Sequence, residues 1–385
     1  MKKFDVIVAG YLCIDLIPNF KSDNSVTNLS HLLVPGRLIE IEGLNYCLGG
    51  TVANTGLALK KFNKRVFLNG LIGNDFIGKI ILDRFVSYEL SEGINITEQA
   101  GTALCIVLAP PGIDRIFLES PGCSMVFDTS HINYDAISQT QIFHFGYPPL
   151  LKQFYQNNGF QLHTLFSNVH EMGVVTSLDF SLPDQEAESG KVNWPIILKS
   201  TLPFTDIFTP SLEEALQIMM PTTYAYLKST SGNAEFIDRV TIDLIRLLGK
   251  KIIDCGVKIL LLKMGHRGVY LLTGDISSIN VKLDSKLSID DWNNCEFWCK
   301  AYKADELRFR NAAGAGDTAI AAFLAAILEG KSPKASLMYA AIAGRNKLYC
   351  HDIYSELDDW QTMGRQIVEE QVEINSFHLY PIKSI

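Results

Sequence analysis

The sequence predicts an α/β protein: a mostly parallel central sheet with helices on both faces, and a small β-sheet lid beside it. Three observations predict this. Short apolar strand-like segments alternate with helical patterns along most of the 385 residues, the rhythm of parallel strands joined by crossover helices. Two segments, about 12–48 and 100–120, interrupt that rhythm with strand-like residues and no helix, which suits a separate sheet. A loop of small residues, Asn311-Ala312-Ala313-Gly314-Ala315-Gly316-Asp317, opens a long apolar helix late in the chain. No linker, repeat or low-complexity tract divides residues 1–385, so one domain is expected.

In chain order, Phe4 to Ala9 reads as a buried strand. Gly49-Gly50 precedes a helical stretch, Thr51 to Phe62, whose apolar positions include Val52, Leu57, Leu59 and Phe62. Arg65 to Leu71 reads as a strand and Phe76 to Leu90 as an amphipathic helix, with Asn74-Asp75 as its cap. Ile142 to Phe145, Val174 to Phe180, Asp206 to Thr209 and Ile259 to Met264 are further short apolar strands. Helical patterns fill the spaces between, at about 150–172, 212–220 and 233–256. In the lid, Arg37 to Ile41 is strand-like. Thr102 to Leu108 and Arg115 to Glu119 form a hairpin about the turn Pro110-Pro111-Gly112-Ile113-Asp114. Gly274 to Asp305 reads as an insertion. The helix after Asp317 is apolar nearly all round, so it is buried, and Gly330 and Pro333 punctuate its end. A sheet of this kind presents its ligand crevice at the carboxyl ends of the strands.

Composition narrows the function. Apolar residues make up 47% and the net charge is −8, with no long basic run, which excludes nucleic acid as a partner. No apolar run reaches transmembrane length, and Val6 to Ala9 is too short for a signal core, so a cytoplasmic protein with no membrane partner is expected. The eight cysteines are scattered, without the spacing of a zinc cluster, and read as reduced thiols.

The loop at 311–317 carries the chemistry. Glycines at 314 and 316 let backbone N–H groups approach an anion where a side chain would push it away. The helix start adds orphan donors and the positive end of its dipole. Asp317 in the first turn places a carboxylate beside that cradle, although a helix-start aspartate is also ordinary. Asn54 inside an otherwise apolar helix turn is unfavourable by propensity and calls for a partner.

These segments resemble the ribokinase-like (PfkB) carbohydrate kinase family. Gly314-Ala315-Gly316-Asp317 looks like its GAGD signature, and Gly49-Gly50-Thr51-Val52-Ala53-Asn54 like its GGxxxN motif. Gly70 to Gly78 resembles its LGxVGxDxxG segment, and Gly10 to Asp15 its first strand and substrate-binding aspartate. Thr209 to Ala215 is similar to PNxxEA, and Lys263-Met264-Gly265-His266-Arg267-Gly268 to the TxGxxG nucleotide segment. The motifs fall in the family's order over most of residues 4–350. The resemblance implies a three-layer α/β/α fold with a β lid, and ATP-dependent phosphorylation of a hydroxyl on a sugar, polyol or related small molecule. It implies Asp317 as general base, with the N–H groups at Gly314, Ala315, Gly316 and Asp317 as the anion hole. Asp15, Gly49, Gly50 and Asn54 are implied for the sugar. Lys263, Gly265, Gly268 and Asn311 are implied for the nucleotide, and Glu214 for Mg2+ through water, with Glu213 as its substitute. Exposed lid strands would favour a homodimer through the lid.

Departures from the family pattern are local. Asn311-Ala312 stands where Asp-Thr is usual, Ser211 where Asn is usual, and Lys263 where Thr or Ser is usual. The first two touch the region that organises metal and phosphates. Two other readings share the fold: a nucleoside kinase, and a non-catalytic sugar-binding regulator. A dinucleotide-binding GxGxxA loop is rejected, because Leu307 to Arg310 is a poor buried strand and no acidic residue lies about twenty positions on.

Overall fold

The computed structural model describes residues 2–21, 30, 32–111, 116–230 and 235–377. Its strands are β1 (Phe4–Gly10), β2 (Cys13–Phe20), β3 (Ile41–Gly49), β4 (Val66–Gly73), β5 (Ile94–Thr97), β6 (Leu104–Leu108) and β7 (Ile116–Ser120). They continue with β8 (Thr140–Gly146), β9 (Val175–Leu178), β10 (Ile207–Phe208), β11 (Ile259–Lys263), β12 (Val269–Thr273), β13 (Glu296–Cys299) and β14 (Ile374–Ser376). The longer helices are α1 (Gly50–Lys61), α2 (Phe76–Ser87), α3 (Lys152–Glu171), α4 (Trp194–Thr201), α5 (Leu212–Met219), α6 (Pro221–Ser229), α7 (Ile242–Asp254), α8 (Ala315–Leu328), α9 (Pro333–Lys347) and α10 (Trp360–Glu369).

The main sheet runs β14-β13-β12-β11-β10-β9-β8-β1-β4-β5. From β5 to β11 neighbours are parallel, and β12 to β14 close the edge antiparallel. Both faces are covered, so the inner strands are apolar on both sides. One face of β1, with Val6 and Val8, packs with α1, α8 and α9. The other, with Ile7 and Ala9, packs with α3, α4, α5 and α7. Asp75 caps α2 as expected, accepting from the Gly78 N–H at 2.7 Å.

The lid is a four-stranded sheet in the order β3-β2-β6-β7. It grows directly from the core. β1 ends at Gly10 and β2 begins at Cys13, and β3 ends at Gly49 where α1 begins. The 100–120 hairpin is present as β6 and β7, paired antiparallel; residues 112–114 of its expected turn lie outside the described residues.

Four expectations are corrected. The lid strand expected at Arg37 to Ile41 lies instead at Ile41–Gly49, and Leu38 is exposed. Its partner β2 contains Pro18. There β2 pairs with β3 alone, because β6 faces only Ile14 to Leu16, so the missing N–H costs no ladder bond. Residues 274–305, expected as an insertion, are built into the core: they supply β13 and the fully buried Trp292, which packs on Phe323 of α8. The helix over 150–172 breaks at Gln156–Gly159, where Asn157, Asn158 and Gly159 are left-handed. The helix expected from 233 begins at Ile242, capped by Thr241, behind a short turn at Phe236–Arg239; residues 233–234 lie outside the described residues.

Candidate active site

The carboxyl ends of β1, β8, β9 and β11 meet the N-terminal ends of α1, α5 and α8. Asp317 is the third residue of α8, whose N-cap is Gly314 in the left-handed conformation at φ 75°. Its side chain caps nothing. It is 2% exposed and faces three donors from other elements. Tyr147 Oη donates to Oδ1 and Oδ2 at 2.9 and 2.8 Å, Asn54 Nδ2 to Oδ2 at 3.0 Å, and Thr55 Oγ1 to Oδ1 at 3.4 Å. Charge-assisted bonds of this kind fix a carboxylate in one orientation. The partner that Asn54 calls for is therefore Asp317.

Tyr147 is a site residue the sequence reading missed. It follows β8 in Gly146-Tyr147-Pro148-Pro149 and holds φ 66°, a left-handed conformation that is strained for a tyrosine. Burial first, then the Asp317 and Asp179 carboxylates, push its phenol up, so it stays protonated and donates. Its ring stacks on Tyr11, 6.3 Å between centroids, and Tyr11 Oη donates to Glu119 Oε1 on the lid at 2.9 Å. The dipeptide Tyr-Pro after a buried strand was the available signal.

The first turn of α8 leaves the N–H groups of Gly316 and Asp317 without an intrahelical acceptor. Ala315 differs: its N–H goes to the Ala312 carbonyl at 3.2 Å, so the expected cradle narrows by one donor. At Gly314 an added Cβ would stand 3.1 Å from Asn54 Cγ, which links the loop to α1.

On the far side of Gly316 lies a charge cluster. Lys263, at the end of β11, donates to Asp179 Oδ1 at 2.6 Å just beyond β9. Asp179 is fully buried and its Oδ2 has no hydrogen-bond partner. Burial raises its carboxyl to about 7, with Lys263 pulling down and Glu214 and Asp317 pushing up. Glu214 also rises by burial, against the pull of Lys263. It forms a capping box on α5: Ser211 N donates to Oε2 at 2.7 Å, and Ser211 Oγ accepts from Glu214 N at 3.2 Å. Ser211 thus has a clear local role. Gly265 and Gly268 lie in the turn after β11; a Cβ on Gly268 would strike the Cys299 carbonyl, which accounts for that glycine by packing.

Asp15 sits on lid strand β2, opposite Cys47 and Cys105. An added Cβ on Gly49 would stand 3.0 Å from both its carboxylate oxygens, so the glycine makes room for them. Gly50, at φ 81°, packs against the Tyr11 carbonyl. Burial pushes the Asp15 carboxyl up to about 6, opposed by the Cys13 hydrogen bond, with Glu119 raising and Lys347 lowering it. A cleft beside it is lined by Asp15, Asn54, Asn311, Lys347, His351 and Asp352. Asn311 therefore lies with Asp15 and Asn54. Lys347 is 3% exposed and donates to Asn311 Oδ1 and to the Cys350 carbonyl at 3.4 and 3.2 Å. Lys347 and Asp179 were also not expected from the sequence, because nothing in their neighbourhood marks a lysine or aspartate as inward-facing.

Residues 3–355 match the pfkB family carbohydrate kinase profile. Among curated relatives, the chain is 26% identical over 144 residues to probable fructokinase-4 of Arabidopsis thaliana and to fructokinase-2 of Solanum lycopersicum. Each match spans 37% of this chain and 40% of the relative, so about two fifths of their length is matched. Among solved structures, Arabidopsis thaliana ribokinase complexed with ribose and ATP superposes with a TM-score of 0.66 at 17% identity, over 94% of this chain and 98% of that one. Fructokinase with bound ATP from Xylella fastidiosa gives 0.67 at 16% identity, over 96% and 99%. A nucleoside kinase of Methanocaldococcus jannaschii gives 0.62 at 16% identity, over 96% and 100%. The fold is ribokinase-like.

Proposed function

This chain belongs to the pfkB carbohydrate kinase family, and from that premise we propose that it transfers the γ-phosphoryl group of ATP to a hydroxyl of a sugar or related small molecule. One observation carries the reading. Asp317 is a buried carboxylate in the helix-start cradle, oriented by Tyr147, Asn54 and Thr55, and Asn54 also lines the cleft that holds Asp15. Phosphoryl transfer asks the protein mainly for positioning and charge stabilisation. The acceptor hydroxyl lies in the cleft with Asp15 and Asn54, and Asp317 takes its proton as the bond to phosphorus forms. The N–H groups of Gly316 and Asp317 meet the phosphoryl oxygens.

ATP is the donor by analogy with the ATP-bound ribokinase and fructokinase structures. Mg2+ is expected to come with it. Among the described residues no preformed cage of carboxylates lies here, and the unpartnered Asp179 Oδ2 and the half-buried Glu214 fit an ion held mainly by phosphates and water. When bound, such an ion neutralises phosphate charge. Gly265 and Gly268 remain the expected border of the nucleotide. Leu44, Tyr46 and Leu118 are exposed on the lid, which supports pairing of two lids.

The test is an ADP-release screen with Mg-ATP over hexoses, pentoses, polyols and nucleosides, fructose and ribose first. No turnover with any acceptor would favour the non-catalytic reading, and turnover confined to nucleosides the nucleoside-kinase one. Asp317→Asn should lower kcat by roughly 10²–10⁴, the worth of a positioned general base. Wild-type kcat in that variant removes Asp317 from the role.

A further inference from the structure

Resting on the phosphoryl-transfer reading above, we propose that the Lys263 ammonium is a direct catalytic contact of the transferring phosphoryl group, with Asp179 as its partner between turnovers. Lys263 Nζ makes one hydrogen bond among the described residues, to Asp179 Oδ1 at 2.6 Å, and an ammonium has three donors to give. Asp179 has an unmatched group as well, since its buried Oδ2 accepts from nothing. An ion pair that serves the fold alone recovers its desolvation only when its remaining donors and acceptors are bonded. This pair leaves both partners with capacity to spare.

That spare capacity faces the cradle. The Lys263 side chain keeps 13% of its surface exposed. Its Cδ, Cε and Nζ lie 3.4 to 3.6 Å from where a Cβ on Gly316 would stand. An oxyanion held by the Gly316 and Asp317 N–H groups therefore comes within reach of Nζ. Burial alone would lower the Lys263 ammonium, but Asp179, Glu214 and Asp317 together raise it, so it stays charged.

In the transfer, the acceptor oxygen bonds to the γ-phosphorus and the bond to the β–γ bridging oxygen breaks. ADP leaves with that electron pair, and the acceptor proton goes to Asp317. Lys263 exchanges no proton. Its hydrogen bond passes from Asp179 to an equatorial phosphoryl oxygen as charge spreads over the three of them.

Lys263→Met alone strands the Asp179 charge, which can unfold the site by itself. Two charge-free pairs avoid this: Asp179→Asn with Lys263→Met, and Asp179→Asn with Lys263→Gln. One keeps an apolar stem and the other a polar end. Each is assayed with the best acceptor from the screen, beside a thermal melt and ADP calorimetry. The expected result is a near-wild-type melt, unchanged ADP affinity and, against Asp179→Asn alone as the reference, kcat lowered about 10²–10³, the worth of one transition-state donor. Wild-type kcat in either folded pair overturns the proposal and leaves Lys263 as counter-charge to Asp179. Asp317→Asn is measured alongside. If it is fast, the base reading fails. If it is slow while a charge-free pair is fast, only the Lys263 assignment fails.

Discussion

At the scale of single residues, two hydroxyl and carboxyl groups carry opposite lessons. Tyr147 adopts a strained left-handed backbone and aims its hydroxyl at both oxygens of Asp317. Tyr147→Phe keeps the ring against Tyr11 and deletes one donor to a charged group, worth about 1.5–3 kcal/mol. We expect kcat to fall roughly 10- to 100-fold with KM for ATP little changed; steady-state kinetics on the purified variant decides, and an unchanged kcat would leave the hydroxyl without a catalytic part. Asp15 weakens the empty fold instead. Its folded pKa of about 6 lies above the ordinary aspartate value near 3.8, so between those values the folded chain binds the extra proton and stability falls as pH rises. Asp15→Asn removes that burden, on the order of 1–3 kcal/mol. Without ligands its Tm should exceed wild type at pH 7.5, with the gap closing toward pH 4.5, while acceptor KM rises. A variant that melts lower at pH 7.5 contradicts the burial argument. Of these residues, Asp317, Asp15 and Asn54 were expected from the sequence because their motifs resemble those of the family. Tyr147 was not, because nothing in a sequence announces a positive φ at a tyrosine.

At the scale of elements, the start of α8 was legible for a physical reason. Small residues, a carboxylate and an unbroken apolar run leave few conformations other than a loop feeding a buried helix. Lid strand β2 was not, because Pro18 argues against a strand until its one-sided pairing is seen. The segment 274–305 misled for a related reason: β13 is only four residues long and half-buried at its centre, too little for a periodicity to show. Gly316 belongs to this scale, since it sets how closely α8 approaches Lys263. A bare Cβ there would sit 3.4 Å from Lys263 Cδ, an ordinary contact, but the branches of valine would displace the lysine stem and crowd the cradle. Gly316→Val should raise KM for ATP at least about tenfold while shifting the melt little, given that helix-start N–H groups bind the anion. Calorimetry with ATP and a thermal melt separate the two effects, and wild-type ATP affinity rules the cradle out.

At the scale of the whole molecule, the α/β rhythm and the lid followed from the sequence, whereas the far edge of the sheet did not. β12 to β14 extend it antiparallel, and β14 arrives from beyond α10, a long-range pairing that local pattern cannot report. The junction of the two sheets has the wider consequence. Only Tyr11 and Leu12 separate β1 from β2, and β3 runs into α1 without a gap, so Asp15 rides on the lid while Asn54 and Asp317 ride on core helices. On the proposed reading the acceptor's pocket is therefore divided between two bodies, and an acceptor that spans both would draw them together. A sugar with several hydroxyls is long enough to bridge them. Water is not. ATP turnover without acceptor should accordingly run at least about a hundredfold slower than with it; ADP release in acceptor-free buffer measures this, and equal rates would mean the division has no consequence. In cellular terms, the proposed division would protect the enzyme from idling, its fuel burned only with cargo aboard.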